Sequence, residues 1–404
     1  MTYKQIVLLY SLALFAHLNI NANVTHLQTI AQSYEQLDPL ENALKLAQKL
    51  TNNDPNYNNI SHYIVQNLYL LNFGILAPNE RKEARPFFEK LFNEKKISEF
   101  DMNIIDFNLE LDEQVMSRWT NNPLPLNCKN KRILITNGWG FGDHIMHIRY
   151  ALCLKKAGAY VIAQVKSPLV ALFSECDYLD MIISTEDKKP QVDIVIDYHL
   201  LMKLTYPIIK KIIPNYQPYI KADKNLTLDW EKKLEPDRNF KVGICWQSSG
   251  ACYLDQKIHS IRNIPLKSFE PLSKLKNISF YSLQQVTGLD QLQTIPPTFK
   301  IHTFDETFDK THGAFMDTAA VMENLDLIIS VDTSIPQLAG ALGRPVWTLI
   351  PYSADWRWPV TRPHDTPWYP TMRLFKQTKV GQWDDVIEKI VEELKIYSDQ
   401  KKQA

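Results

Sequence analysis

Glycine is scarce in this chain, 12 in 404 residues, so a local cluster of it stands out as information. Cysteine is scarcer. The five, Cys128, Cys153, Cys176, Cys245 and Cys252, are odd in number and form no C-x-x-C pair, which speaks against a disulfide framework or a zinc cluster. Several lie inside apolar runs, where a buried free thiol is the expected state. There is no excess charge of either sign, with 45 Lys+Arg against 45 Asp+Glu. That leaves no basic footprint for nucleic acid and no acidic tail. No D-x-D occurs, and the G-x-G-x-x-G spacing of dinucleotide sites is missing. With 45% hydrophobic residues the chain can build cores, and its length points to two or three domains.

One long apolar run exists. Residues 6–16, IVLLYSLALFA, follow a lysine and precede the small-residue stretch Ile20-Asn21-Ala22. This is the layout of a secretory leader over 1–22, too short for a membrane span. A first helix packed on its successors is the alternative. Residues 23–120 read as helical. Ala43, Leu44, Leu46, Ala47 and Leu50 recur at helical spacing and stop at Asn52-Asn53-Asp54-Pro55. A similar phrase starts at Ala84, 41 residues on, which suits a degenerate tetratricopeptide-like repeat or an ordinary helical domain. Asn121, Asn122, Pro123 and Pro125 mark a linker.

From Lys131 the texture becomes α/β. Buried-strand runs at 132–137, 160–165, 180–184 and 192–198 alternate with helical patterns, the first over 143–157. After a polar stretch at 221–239 a second set follows at 240–247, 278–284, 299–304, 325–331 and 345–350, closed by an amphipathic helix over 382–396. The reading is two Rossmann-like lobes, 131–222 and 238–397, each presenting the carboxyl ends of its strands to a cleft.

Four groups of residues sit at those strand ends. The first is Asn137-Gly138-Trp139-Gly140-Phe141-Gly142-Asp143-His144, where Gly138, Gly140 and Gly142 fall within five residues. Such a loop permits close backbone approach and opens a helix start to anions. Asp143 either caps that helix or acts as a base. His144, one residue on, is a further acid/base candidate by type, but a satisfied surface histidine is the expectation. The second group runs from Asp332 through Thr333, Ser334 and Gln337 to Gly343, a strand end and helix start whose free N–H groups suit a phosphate, or simply a cap. The third is Trp246-Gln247-Ser248-Ser249-Gly250 followed by Lys257, His259 and Arg262, basic groups able to offset a departing diphosphate. The fourth is the aromatic run around Trp356, Trp358, Trp368 and Tyr369 with Arg357 and Arg362, suited to stacking on bases and sugars or to packing on its own domain.

The ordered set formed by GlyTrpGlyPheGlyAsp, ArgAsnIleProLeu at 262–266, PheTyrSerLeuGln at 280–284, AspThrAlaAla at 317–320, Asp332–Pro345 and the tail AspTrpArgTrp…ProTrpTyrPro resembles one family. It is similar to the tetratricopeptide-linked glycosyltransferases related to family 9 ADP-heptose:lipopolysaccharide heptosyltransferases, and more distantly to O-GlcNAc transferases. The resemblance covers roughly 131–396 and implies a GT-B fold, with acceptor on the first lobe and nucleotide-diphosphate-sugar donor on the second. It implies inverting transfer without metal or cofactor. It places Asp143 as catalytic base, Thr333 and Ser334 at the phosphate, Arg262 by the leaving diphosphate, and Gln284, Asp317 and Asp332 near the nucleotide. The family's pattern has His where this chain has Gln337, which cannot carry a charge. The expected acceptor is a glycan, lipid-linked or protein hydroxyl of unspecified kind. Nucleotide-sugar chemistry and free thiols favour the cytoplasm, whereas the leader favours export or membrane association. The alternative function is a catalytically degenerate scaffold that binds a protein partner through its helical region.

Overall fold

The computed structural model describes residues 128–136, 140–198, 201, 218–248, 262–351, 364–366, 368–379 and 381–403, together with Asn93 and Trp358. The leader, the helical region apart from Asn93, Gly138, Cys252, Lys257, His259, Trp356, Arg357 and Arg362 lie outside the described residues. Pro125–Ala354 and Pro363–Ala404 form one compact unit, and the account that follows concerns that unit.

Its first lobe is built on four parallel strands, β1 (Arg132–Thr136), β2 (Tyr160–Val165), β3 (Met181–Ser184) and β4 (Ile194–Asp197), in the order β3-β2-β1-β4. The central strands β1 and β2 are buried beyond their first residues, as their β-branched runs require, whereas β3 and β4 leave Met181 and Val195 exposed; Leu134, Ile162 and Ile183 pack as one apolar cluster. The second lobe has six parallel strands. They are β5 (Phe240–Cys245), β6 (Ile278–Ser282), β7 (Ile301–His302), β8 (Leu327–Val331), β9 (Val346–Ile350) and β10 (Met372–Lys376), ordered β10-β9-β8-β5-β6-β7. Counted within the lobe, the first and fourth strands are neighbours, which is the doubly wound order. Strands β8 and β9 are buried along their whole length, as their unbroken apolar sequences require.

Three details differ from the sequence reading. The helix expected over 143–157 is broken into α1 (Phe141–His147), a 3₁₀ turn (Ile148–Tyr150) and α2 (Ala151–Lys156). The tightening falls where Arg149 Nε donates to the Met146 carbonyl at 2.9 Å. The polar stretch 221–239 contains a helix, Lys224–Leu234. Asp223 caps it by accepting from Leu226 N at 2.7 Å, and only Leu226, Trp230 and Leu234 are buried. Three apolar residues at i, i+4 and i+8 are too few to dominate its composition. The edge strand β10 carries Arg and Lys between its apolar residues and reads weakly as a strand.

After α3 (Val170–Ser174) and the helix Lys224–Leu234, taken as α4, the remaining helices are α5 (Met316–Glu323), α6 (Ser334–Ala341) and α7 (Asp384–Gln403). Helix α4 packs on α5 of the second lobe, and Trp230 Nε1 donates to Asp317 Oδ1 at 2.8 Å. Among the described residues no helix is long and apolar enough to cross a membrane.

The lobes are joined at Tyr219. Its N–H donates to the Ala341 carbonyl of the second lobe at 3.0 Å. Its carbonyl accepts from the Tyr178 hydroxyl of the first lobe at 2.8 Å.

Candidate functional site

The switch point of the second lobe lies between β5 and β8, where Cys245 pairs with Ser330. Strand β8 ends in Asp332, and Thr333 caps α6 by accepting from Ile335 N at 3.2 Å. Ser334 is the first helical residue. Pro336 sits in the first turn, where its missing N–H has no intrahelical partner to lose. Arg262 reaches the same strand end, its NH1 4.0 Å from Asp332 Oδ2. Asp332, Thr333, Ser334 and Arg262 are therefore gathered at one strand terminus.

Gln284 works behind that terminus. Its Oε1 accepts from the backbone of Trp246 and Gln247 at 3.0 and 2.9 Å and from the Cys245 thiol at 3.3 Å. Its Nε2 donates to the carbonyls of Gln247 and Thr287, both at 2.8 Å. Both ends of the amide thus hold the loops after β5 and β6 together. Asp317 is turned the other way. Oδ1 takes the Trp230 indole, and Oδ2 accepts from Asp309 N at 2.9 Å and His312 Nδ1 at 3.2 Å.

The first lobe contributes α1. Gly140 N donates to Asp143 Oδ2 at 2.8 Å, so Asp143 does cap the helix start. A Cβ at Gly140 would lie 3.1 Å from that same oxygen, so the glycine makes room for the carboxylate. The Asp143 side chain is half-buried. His144, expected at the surface, is fully buried, its ring against that of Tyr198 with centroids 4.5 Å apart. The reason is that α1 is short and sunken, and every residue from His144 to His147 faces the interior.

The two helix starts meet. A Cβ at Gly142 would be 3.4 Å from Gln337 Cγ, 3.7 Å from Ser334 Cα and 3.8 Å from the Thr333 carbonyl oxygen. The glycine loop of one lobe and the Asp-Thr-Ser turn of the other are in van der Waals contact, with Asp143 one residue from the seam.

Sequence reasoning missed a buried network beside this seam. Arg149 is 1% exposed and lies between the aromatic faces of Tyr219 and Tyr369, its guanidinium carbon 4.6 Å from each ring centroid. NH1 donates to the Trp368 carbonyl at 2.8 Å and NH2 to the Tyr219 hydroxyl at 2.9 Å. The Tyr219 and Tyr369 hydroxyls are 3.2 Å apart, and Tyr369 donates to Gln337 Oε1 at 2.6 Å. Trp368 and Tyr369 are buried packing residues here. An arginine set among apolar residues in HisIleArgTyrAlaLeuCysLeu was the available signal. Cys128, Cys153, Cys176 and Cys245 are buried free thiols as expected, and burial pushes Cys245 up to about 11. No group of three or more His, Cys, Asp or Glu among the described residues could hold a metal ion.

Two α/β lobes with the start of α1 in one against the start of α6 in the other define the class: a two-lobed α/β protein with these strand ends directed at a shared seam. No family model matches the chain. Protein FlbA of Caulobacter vibrioides is 22% identical over 187 residues, 46% of this chain; the chain spans 30% of that protein's length. Among solved structures it is similar to E. coli ADP-heptose LPS heptosyltransferase II, with 11% identity, a TM-score of 0.49, and 67% of this chain and 99% of that one covered. It is also similar to the family 9 glycosyl transferase of Veillonella parvula DSM 2008, with 12% identity, a TM-score of 0.47, and 68% and 97% covered.

Proposed function

We propose that the chain is a glycosyltransferase that moves a sugar from a nucleotide-diphosphate donor to a hydroxyl acceptor, with inversion and without a metal. The observation that carries this reading is the contact of Gly142 with Gln337, Ser334 and Thr333 across the two lobes. It brings the helix that carries Asp143 against the start of α6, and a carboxylate and a helix start are the two components that an inverting displacement of a diphosphate needs.

In this reading the pyrophosphate lies at the first turn of α6, where the Ser334 N–H has no intrahelical partner, the Ile335 N–H is shared with Thr333 Oγ1, Pro336 carries no N–H, and the helix dipole favours an anion. Arg262, held near Asp332, offsets the charge that grows on the leaving diphosphate. Asp143 deprotonates the acceptor hydroxyl as it attacks the anomeric carbon. Its cap to Gly140 occupies one face of one oxygen, and a carboxylate has acceptor capacity to spare. Gln284 and Asp317 act from behind, as braces that fix the loops forming the nucleotide side. The helical region serves acceptor or partner recognition.

Isothermal calorimetry with ADP, GDP and UDP tests the proposal. Binding of one of them at 1:1 stoichiometry, competed by a nucleotide sugar, is the expected result. Binding of none would leave the scaffold reading in its place.

A further inference from the structure

We propose that Arg149, Tyr219 and Tyr369 are positioning residues that hold the Gln337 amide with its NH₂ group turned toward the ligand at the start of α6. The inference rests on the reading of that helix start as the phosphate turn.

The argument is one of hydrogen-bond direction. A primary amide has an acceptor end and a donor end of nearly equal shape, so its surroundings decide which way it faces. Here the decision is made several bonds away. A guanidinium can only donate. Arg149 NH2 donates to the Tyr219 hydroxyl oxygen at 2.9 Å. The Tyr219 and Tyr369 hydroxyl oxygens are 3.2 Å apart, and Tyr219 is the donor of that pair when the single Tyr369 proton goes to Gln337. Tyr369 in turn sends its proton to Gln337 Oε1 at 2.6 Å. The two hydroxyls bring two protons, and neither can go to the arginine; with the Gln337 carbonyl as last acceptor both find a partner, whereas the reverse amide orientation would leave one of them unpaired within this network. The carbonyl of Gln337 is that acceptor, and its two N–H donors face away from Tyr369.

Gln337 sits where α6 meets the first lobe, its Cγ 3.4 Å from the Cβ position of Gly142, and in the proposal the donors face that side. Phosphate oxygens only accept, which matches an NH₂ group and would clash with the opposite amide orientation. The chain spans both lobes and the joint. Arg149 comes from the first lobe, Tyr219 from the connection, and Tyr369 and Gln337 from the second. The amide is thus aligned only when the lobes are seated as seen here. None of the partners of Arg149 among the described residues is a carboxylate.

Q337E and Y369F separate the parts. Q337E keeps an acceptor for Tyr369 but replaces the NH₂ with a second acceptor. It should unfold within a few degrees of wild type and bind the nucleoside diphosphate at least ~10-fold more weakly. Y369F keeps the ring and frees the amide to turn; the expected loss is about 5–10-fold. Y369F combined with Q337M should bind no more weakly than Q337M alone, because Tyr369 acts through Gln337. Additive losses, or Y369F binding as wild type does, would overturn the inference and leave the function standing. A wild-type protein that binds none of ADP, GDP or UDP would remove the function and this inference with it. Y219F breaks the chain one link earlier, should reproduce the same coupling, and substitutes for Y369F if that variant does not fold.

Discussion

The Tyr369 ring lies so close to Gly340 that a Cβ on the glycine would come within 2.4 Å of Cδ1. Helix α6 therefore carries a glycine in its interior for a reason of contact. The first prediction follows. Alanine at 340 would gain up to about 1 kcal/mol of intrinsic helix stability. It would also drive Tyr369 off the helix and away from Arg149 and Gln337, at an overpacking cost of about 1–3 kcal/mol plus lost hydrogen bonds. G340A should shift the urea midpoint downward, and a midpoint equal to or above wild type would contradict this packing.

Asp143→Asn keeps an oxygen for the Gly140 N–H, so the fold and the seam with Ser334 should persist. The proton acceptor is lost. With a donor and acceptor pair established, turnover should fall at least ~100-fold while nucleoside-diphosphate affinity stays within about twofold. Loss of affinity instead would show that Asp143 serves the helix start alone.

Arg149→Met fills similar space but leaves the Met146 and Trp368 carbonyls and the Tyr219 hydroxyl without their donor. Unsatisfied buried acceptors make this costly, about 2–5 kcal/mol. Arg149→Lys restores the charge without the planar fork and should recover only part of that loss. Equal stability of R149K and wild type in chemical denaturation would refute the fork geometry.

Asp309 offers a pH test. Burial, aided by the neighbouring Asp317 carboxylate, lifts its carboxyl from an ordinary 3.8 to about 6, although the Thr318 hydroxyl and N–H pull the other way. The folded chain then holds this proton more tightly than the unfolded chain. Stability from this group is present below pH 4 and declines as pH rises through 6. Asp309 has a φ of 56°, a conformation asparagine accepts readily. The melting temperature of D309N relative to wild type should increase between pH 4 and pH 7 and then level off. A difference independent of pH would count against the raised value.

The strands were legible because central parallel strands are buried on both faces and must be continuously apolar; 160–165 reads identically in sequence and structure. What escaped was set by partners far along the chain. Trp230 and its helix look polar until Asp317, 87 residues on, is placed beside the indole. The edge strand β10 has one neighbouring strand, so its sequence carries a weaker pattern, whereas β7 at the other edge falls inside the run 299–304. At the site, glycine spacing and the Asp-Thr-Ser turn marked the two helix starts. The hydrogen-bond route from Gln337 through Tyr369 and Tyr219 to Arg149 crosses the lobes, and no local spacing encodes it.

Tyr219 shows what this architecture implies mechanically. Its N–H belongs to one half and its C=O to the other, and its hydroxyl lies on the route between Arg149 and Tyr369. It is both bearing and switch: a rotation of the halves that kept its backbone bonds would still pull the phenol out of line. In the proposed transferase the joint and the phosphate turn are therefore tuned together.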